Sequence, residues 1–249
     1  MADVEIARSG AVLELTLNRP AKKNALTNAM YRTLTDALSE AARDEGIGVV
    51  LIAGAGGVFS AGNDIGDFIA ALSGGEMAAA DFIRAIAAFP KPIVAAVDGL
   101  AVGVGTTLLL HCDLVYATPA ARFALPFVDL GLLPEAGSSL LLPRRAGMAR
   151  ASAWLLAGDS FSAEEAREAG LINAVVESDV LLGTAREKAA KLAAKPRAAL
   201  LAARRFLRGD QAEILTRIDV ELDAFRAALA SPQAQAALAA FVNKSKQAG

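Results

Sequence analysis

The sequence has very few of the residues that bind metal ions or cross-link a chain: its 249 residues include one cysteine, Cys112, and one histidine, His111. A lone cysteine cannot form an internal disulfide, and a zinc site needs several cysteine, histidine or carboxylate ligands. We therefore expect no metal site. His111 ends an apolar run, which indicates a core histidine at a helix end. No Gly-x-Ser-x-Gly sequence accompanies it, which disfavours a Ser-His-Asp hydrolase.

An excess of either charge is also missing: the formal net charge is -2, and charged residues make up 21% of the chain. A nucleic-acid-binding surface would need a basic stripe, so we expect no nucleic-acid partner. We interpret the cluster of Arg204, Arg205 and Arg208 as the solvated face of a helix. The apolar stretches are broken before the roughly 20 residues that a bilayer requires, and the N-terminus lacks a signal-peptide pattern. These features predict a cytoplasmic protein with no membrane partner.

Short apolar strands alternate with helical periodicity along most of the chain. The segment 49–53 is apolar throughout and bounded by glycine, as is typical of a buried parallel strand. The spacing of Met30, Leu34 and Leu38 predicts a helix over 27–43. This alternation predicts an α/β fold with a mostly parallel sheet covered by helices. The other predicted strands are 11–17, 92–97, 113–117, 123–124 and 171–176, and further helices are predicted within 64–89 and over 104–111.

The C-terminal part of the chain is richer in alanine and in helical periodicity. Ser162 and Glu165 match a capping box and predict the start of a helix. From about residue 179 onward the helical pattern continues, with interruptions only at proline or glycine. The change in composition divides the chain into a core over 1–194 and a helical C-terminal subdomain over 195–249.

Two glycine-rich segments follow predicted strands and must be compared with nucleotide-binding loops. The first, at 54–57, lacks the Gly-Lys-Ser/Thr ending of a P-loop. The second, at 99–105, lacks the Gly-x-Gly-x-x-Gly spacing, the N-terminal position and the following acidic strand residue of a dinucleotide site. We therefore interpret neither segment as a phosphate-binding loop.

The segments 59–65 and 98–105 suit a different kind of chemistry, because each follows a buried strand and bends at glycine. Each can present a backbone N–H group to the same oxygen atom. The second would do so at a helix N-terminus, where unpaired N–H groups and the helix dipole favour negative charge. On spacing alone, two ordinary tight turns are the better interpretation.

A series of short motifs runs in order along nearly the whole chain: Asn18-Arg-Pro20, Asn24-Ala-Leu26, Phe59-Ser-Ala-Gly-Asn-Asp-Ile65, Lys91-Pro92, Asp98-Gly99, Gly103-Val-Gly105, Cys112-Asp-Leu114, Phe123-Ala-Leu-Pro126, Leu130-Gly-Leu-Leu-Pro134 and Gly170-Leu-Ile-Asn173. Each motif is weak alone, but the ordered series resembles the crotonase (enoyl-CoA hydratase/isomerase) superfamily. The resemblance implies a spiral core of ββα repeats and a helical C-terminal trimerisation region. It also implies a homotrimer, or a hexamer formed as a dimer of trimers.

The superfamily holds a thioester oxygen between two backbone N–H groups, the oxyanion hole. The resemblance assigns one group to Asn63, which follows the glycine of the first motif, and the other to Val104, inside the Gly-x-Gly turn. Many relatives have glycine at the second position. Valine keeps the N–H group but narrows the space above the thioester. Two such donors would stabilise the enolate that forms when a thioester loses an α-proton.

The acid–base residues select the reaction. Hydratases of this superfamily use two glutamates, and the matching positions here hold Thr107 and Phe127, neither of which can act as a general base. Glu135 lies in a Pro-Glu-x-x-Ser-Ser pattern that resembles the peroxisomal-type Δ3-Δ2-enoyl-CoA isomerases, whose catalytic glutamate occupies this place. We expect it at a helix start, where an acid that complements the helix dipole is the alternative interpretation. Apolar neighbours would raise its pKa, and those expected are Phe127, Leu130, Leu132 and Leu133.

The leading hypothesis is therefore an acyl-CoA double-bond isomerase. A hydratase or another crotonase-type reaction is the first alternative, and a non-catalytic acyl-CoA-binding or trimer-forming paralogue is the second. The substrate partner is an acyl-CoA thioester, and no separate cofactor is expected because coenzyme A is part of the substrate.

The resemblance also implies contacts with the substrate. Residues expected to meet coenzyme A are Lys22, Lys23, Ala25, Leu26, Ala61, Asp64 and Ile65, together with Phe241 and Lys244 donated by a neighbouring subunit. Residues expected to line the acyl pocket are Phe68, Ile69, Leu72, Met77 and Phe82.

Overall fold

The structure is a computed structural model that describes residues 2–72 and 75–247. The side chains at 71, 72 and 241–247 lie outside the described part, and so do the side-chain predictions for Leu72, Phe241 and Lys244. Within the two described ranges, no helix is long and apolar enough to cross a membrane. The same residues contain no group of three or more His, Cys, Asp or Glu side chains that could hold a metal ion.

The fold is of the predicted α/β class. Its strands are β1 (Val4–Ser9), β2 (Val12–Leu17), β3 (Val49–Gly54), β4 (Ile93–Val97), β5 (Leu100–Val102), β6 (Leu114–Ala117), β7 (Arg122–Ala124), β8 (Phe161–Ser162) and β9 (Ala174–Val175). Its α-helices are α1 (Asn28–Arg43), α2 (Ile65–Leu72), α3 (Ala79–Ala88), α4 (Val104–Thr107), α5 (Ser138–Ala146), α6 (Met148–Leu155), α7 (Ala163–Glu168), α8 (Ser178–Ala193), α9 (Arg197–Arg208), α10 (Gln211–Leu229) and α11 (Pro232–Gln247). Short 3-10 helices occupy Pro20–Lys22, Leu108–His111 and Val128–Leu130.

A six-stranded sheet in the order β1-β2-β3-β4-β6-β9 forms the centre. Only β1 is antiparallel to its neighbour, and the other pairs are parallel. Alternate residues of β3 face opposite sides: Val50 and Ile52 pack in the largest core cluster with α1, whereas Val49 and Leu51 pack with α8. Helices therefore cover both faces, which explains why β3 is apolar throughout.

A second, smaller sheet has the strand order β5-β7-β8, and an isolated bridge between Ser60 and Ala101 joins the segment 59–65 to its strand β5. In it, β5 and β7 pair in parallel, and β7 pairs antiparallel with β8. The capping box predicted at Ser162 is present: its side chain accepts a hydrogen bond from the N–H of Glu165, and the Glu165 side chain bonds back to the N–H of Ser162. This box starts α7 as predicted.

Several predictions from the sequence were wrong in detail. Strand β1 was missed, and the strand predicted over 171–176 shrinks to β9. The predicted helix at 104–111 is a four-residue α-helix followed by a 3-10 turn. The boundary between a core and a C-terminal subdomain near residue 195, and the assembly of the chain, stay predictions.

The arginine cluster is not a solvated helix face. Arg204 is 8% exposed and its Nε donates to both carboxylate oxygens of Asp113 at 2.9 Å, and Arg208 also pairs with Asp113. These bonds attach α9 to the loop before β6, so at least two of the three arginines are structural. His111 is buried, as predicted for a core residue.

Candidate active site

One pocket contains all three residues that the sequence assigned to catalysis. It encloses about 520 Å³ of empty space, part of it open to solvent. The side chains around it come from α1, α2, α3 and α10 and from the turns between strands. Its lining residues are Leu26, Asn28, Tyr31, Asn63, Asp64, Asp67, Phe68, Glu76, Met77, Ala79, Ala80, Ile83, Val104, Glu135, Leu222 and Phe225.

The two glycine-bearing turns are joined to each other by backbone hydrogen bonds. The N–H of Ser60 donates to the carbonyl of Leu100, and the N–H of Val102 donates to the carbonyl of Ser60, both at 2.9 Å. Gly62 has φ +90° and approaches so closely that a Cβ there would lie 2.8 Å from the Val102 carbonyl oxygen. A side chain at this position would therefore push the two turns apart.

The N–H groups of Asn63 and Val104 are left available by this arrangement. On either side of Asn63, the N–H of Leu26 donates to the Gly62 carbonyl and the N–H of Asp64 donates to the Leu26 carbonyl. Val104 is the first residue of α4, and Gly103 before it has φ +55°. An N–H group in the first turn has no partner within its helix. No residue that the structure describes accepts a hydrogen bond from either N–H.

The Asn63 side chain is fixed by Tyr31, a residue that the sequence did not single out. The Tyr31 hydroxyl donates a 2.5 Å hydrogen bond to Oδ1 of Asn63. Tyr31 is 2% exposed, and burial, with a smaller effect of Glu135, holds its pKa well above the ordinary value. The phenol is therefore neutral at physiological pH. In the sequence, Tyr31 occupies a core position of α1, and this position indicated only a packed aromatic residue.

Glu135 is a buried carboxyl group that is 4% exposed. Thr107, at one of the hydratase glutamate positions, donates a hydrogen bond from its hydroxyl to Oε1 of Glu135. The other oxygen, Oε2, is buried and has no partner among the described residues. Burial raises the pKa of Glu135 to about 8, the Thr107 hydrogen bond lowers it, and the charge of Glu221 raises it. A carboxyl with such a pKa can both accept and release a proton near neutral pH.

The surroundings of Glu135 differ from those expected. It does not start a helix, because α5 begins at Ser138 and Gly137 is its N-cap residue. Leu133, an expected apolar neighbour, is 39% exposed. The walls of the pocket that Glu135 enters come instead from other elements, including Leu222 and Phe225 of α10. In the sequence, the helical spacing of Leu222 and Phe225 indicated only that they face the core.

The residues expected to bind coenzyme A, apart from Phe241 and Lys244, belong to two segments that backbone hydrogen bonds join to each other. The N–H of Ala61 donates a hydrogen bond to the carbonyl of Lys23, and the N–H of Asp64 donates one to the carbonyl of Leu26, both at 2.9 Å. These N–H groups are therefore not free for a ligand. Leu26 and Asp64 reach the pocket, whereas Lys22, Lys23, Ala25, Ala61 and Ile65 lie outside its lining. The side chains of Lys22 and Lys23 are exposed.

The predicted acyl-pocket residues separate into two groups. Phe68 and Met77 line the pocket, as predicted. Ile69 is 43% exposed, and Phe82 is 1% exposed and packs in the core with its ring centroid 5.5 Å from that of Tyr31. Neither residue lines this pocket, because helical periodicity does not tell which face of a helix meets a cavity and which meets solvent or the core.

The chain matches known proteins along almost its whole length. The family described as enoyl-CoA hydratase/isomerase matches residues 7–248. A 2,3-dehydroadipyl-CoA hydratase of Escherichia coli (strain K12) is 40% identical over 222 residues, which cover 85% of this chain and 84% of that protein. Enoyl-CoA delta isomerase 2 of Rattus norvegicus is 41% identical over 177 residues, which cover 68% of this chain and 45% of that protein.

The fold is also found among solved structures. The structure of Pseudomonas aeruginosa OdaA superimposes with a TM-score of 0.93 and 43% sequence identity, covering 97% of this chain and 99% of that one. The residues that match the family include the turns that carry Asn63 and Val104 and the segment that carries Glu135. The chain therefore belongs to the enoyl-CoA hydratase/isomerase family of enzymes, the crotonase superfamily.

Proposed function

We propose that this chain is an acyl-CoA double-bond isomerase that converts 3-enoyl-CoA thioesters into 2-enoyl-CoA thioesters. Glu135 is the single acid–base residue, and the N–H groups of Asn63 and Val104 form the oxyanion hole. The observation that carries the proposal is the state of Glu135: a buried carboxyl, with one oxygen free of partners among the described residues, in a pocket that also contains Asn63 and Val104.

One carboxyl group is enough for this reaction. Oε2 of Glu135 takes a proton from C2, the C2–H bond breaks, and its electron pair spreads over the thioester and the C3–C4 double bond as a dienolate. The two N–H groups stabilise the charge on the thioester oxygen; loss of one such donor typically costs about 3 kcal/mol of barrier. Oε2 then gives its proton to C4, which leaves a C2–C3 double bond. Coenzyme A takes part only as a portion of the substrate, so no separate cofactor is needed.

The same site lacks the parts of a two-carboxylate hydratase. Thr107 stands at one glutamate position and uses its hydroxyl to hold Glu135. Phe127 stands at the other and is 7% exposed, packed in the main core cluster. Neither residue can activate a water molecule as a general base. Because a hydratase is among the relatives, hydration is the alternative outcome of the test.

The binding and assembly that we propose follow the family resemblance. Exposed Lys22 and Lys23 supply positive charge for the phosphates of coenzyme A. At the end of α9, Phe206 and Leu207 are 77% and 89% exposed, which supports assembly into a trimer or a dimer of trimers. Light scattering of the purified protein tests the assembly, and a monomer at all concentrations would contradict it.

The test of function compares 3-hexenoyl-CoA and crotonyl-CoA as substrates for the wild type, Glu135→Gln and the control variant Glu213→Gln. Glu213 is an exposed glutamate of α10 that pairs with Arg144. We expect the wild type and the control to isomerise the first substrate and to hydrate the second slowly or not at all. We expect Glu135→Gln to lose at least about a hundredfold in kcat, the usual range for loss of an acid–base group.

Three outcomes would contradict the proposal. Efficient hydration of crotonyl-CoA by the wild type, with little isomerisation, would assign the chain to the hydratases. Tight binding of both thioesters with no turnover of either would assign it to the non-catalytic proteins. Full activity of Glu135→Gln would remove Glu135 from the mechanism.

A further inference from the structure

Helix α10 directs one buried carboxylate, Glu221, at the turn that carries Glu135. Glu221 is 6% exposed. Its Oε2 accepts a hydrogen bond from the N–H of Gly137 at 2.6 Å, and its Oε1 accepts from the N–H and Oγ of Ser139 at 3.0 and 2.5 Å. These N–H groups start α5 and have no partner within that helix. A carboxylate from a distant part of the sequence therefore satisfies them.

The turn over 135–137 has a backbone conformation that needs support. Ala136 has φ +58° and Gly137 has φ +72°. The left-handed region is unfavourable for alanine, because its Cβ approaches the carbonyl oxygen, and such residues persist only where their surroundings hold them. Here the Ala136 carbonyl accepts a hydrogen bond from Nε2 of His111 at 2.8 Å. Burial lowers the pKa of His111 to about 3, so the ring that donates this bond is neutral.

The turn is thus held by His111 through Ala136 and by Glu221 through Gly137. Glu135, the residue before this pair, lines the pocket, and its carbonyl oxygen accepts a hydrogen bond from the N–H of Ser138 at 3.1 Å. Helix capping alone explains the bonds of Glu221 to α5. It does not explain why the cap is a buried charge placed close enough to a second buried carboxyl to act on its protonation.

We propose that Glu221 is a positioning residue for Glu135: it fixes the left-handed turn that directs the Glu135 carboxyl into the pocket, and its negative charge acts on that carboxyl. This inference rests on the proposed function only for its kinetic consequence. The placement and the electrostatic effect stand without it.

The charges around the pair define the expected pH behaviour. Glu135 is faced by the Thr107 hydroxyl from α4, by the neutral Tyr31 phenol from α1 and by Glu221 from α10. Burial raises the pKa of Glu221, and the hydrogen bonds from Ser139 and Gly137 and the charge of Arg217 on its own helix oppose that rise by favouring the charged form. Removal of the Glu221 charge should therefore lower the pKa of Glu135, because a like charge that opposed ionisation is gone.

The experiment compares Glu221→Gln with the matched variant Glu213→Gln in the full-length protein. Both glutamates belong to α10 and both bind α5, but Glu213 is exposed and pairs with Arg144. Glutamine at position 221 keeps the size of the side chain but carries no charge. Its NH₂ group takes the place of one of the two oxygens that accept hydrogen bonds from Gly137 and Ser139. With 3-hexenoyl-CoA we expect kcat to fall about tenfold or more in Glu221→Gln, in line with the cost of a misplaced catalytic group. KM should change less than about twofold.

A second measurement does not depend on turnover. The carboxyl stretch of Glu135, isolated as the infrared difference between each protein and its Glu135→Gln counterpart, is titrated with pH. We expect Glu135 to ionise at lower pH in Glu221→Gln than in the wild type, with no shift in Glu213→Gln. If the wild type does not isomerise 3-hexenoyl-CoA, the proposed function fails while this titration still decides the inference about Glu221.

Unchanged kcat and an unchanged titration in folded Glu221→Gln would overturn the inference. If that variant does not fold, Ser139→Ala decides, because it removes only the hydroxyl that donates to Glu221. We expect a fall in kcat of about threefold in Ser139→Ala, with restoration in Ser139→Thr, which keeps a hydroxyl. Full activity of Ser139→Ala would count against the inference in the same way.

Discussion

The pocket joins two halves that are built in different ways. In the proposed function, the oxyanion half consists of the turns at 59–65 and 98–105 and would offer main-chain N–H groups to a substrate. The acid–base half consists of one side chain, Glu135, which is hydrogen-bonded to Thr107 and whose turn is hydrogen-bonded to Glu221 and His111. A site made of main chain should tolerate changes of side chain and fail when an N–H group is lost. A site made of one buried side chain should respond to every group that touches it.

The largest effect should come from removing one N–H group and little else. Val104 is the first residue of α4, a position where proline fits because its N–H has no helical partner. The preceding residue is Gly103, which has no Cβ to collide with the proline ring. We expect Val104→Pro to lose about 10²–10³ in kcat on 3-hexenoyl-CoA, the usual effect of a lost oxyanion donor. Steady-state kinetics of the wild type and the variant measures this loss in kcat.

The control for this prediction is Val104→Ala, which keeps the N–H and shortens the side chain. We expect its kcat to stay within about threefold of the wild type. Circular dichroism should show that both variants are folded. Equal losses in the two variants would mean that the side chain at 104, and not the N–H group, is what the reaction requires.

The second prediction concerns the free energy of unfolding and applies to the acid–base half. Burial raises the pKa of Glu135 to about 8 in the folded chain, compared with about 4.3 in an unfolded one. Between these values the unfolded chain binds fewer protons than the folded chain, so stability falls as pH rises through this window. Glu135→Gln does not titrate. Relative to the wild type it should therefore become more stable as pH rises from 5 to 8, by roughly 3 kcal/mol.

Urea denaturation at the two pH values measures this difference. The catalytic loss and the gain in stability should occur together, as expected where an active site keeps a group that its surroundings disfavour. Glu213→Gln, on the exposed face of α10, should show no gain that grows with pH. The stability difference between Glu135→Gln and the wild type could also be the same at both pH values. That result would show that Glu135 ionises normally in the folded chain.

Much of the oxyanion half could be predicted from the sequence, because each turn comes after a strand whose apolar run marks its position. Asn63, Val104 and Glu135 were all expected in one site, and one pocket contains them. This depended on the resemblance to a known family. The glycine spacing alone favoured two ordinary turns.

The environment of Glu135 could not be predicted, because its partners are remote in the chain. Thr107 was seen only as a residue that cannot act as a base, although its hydroxyl holds the carboxyl. Glu221 lies on a helix whose apolar positions indicated packing and nothing more. Strand β1 was missed for a related reason: it is an edge strand with most of its residues exposed, so only its pairing with β2 identifies it.

A smaller effect on the site is expected from Thr107→Val, which removes the hydroxyl bonded to Glu135 and keeps the shape of the side chain. This hydrogen bond lowers the pKa of Glu135, so its loss should raise that pKa further. Since Glu135 must be ionised to take the C2 proton, the rise of kcat/KM with pH should move to higher pH. At pH 7 we expect a loss of about fivefold, which is ~1 kcal/mol, and the loss should diminish above pH 9. Thr107→Ser keeps the hydroxyl and should retain the wild-type profile. A Thr107→Val profile that falls by the same factor at every pH would mean that Thr107 orients Glu135 without tuning its ionisation, and the acid–base half would then resemble the oxyanion half in depending on geometry alone.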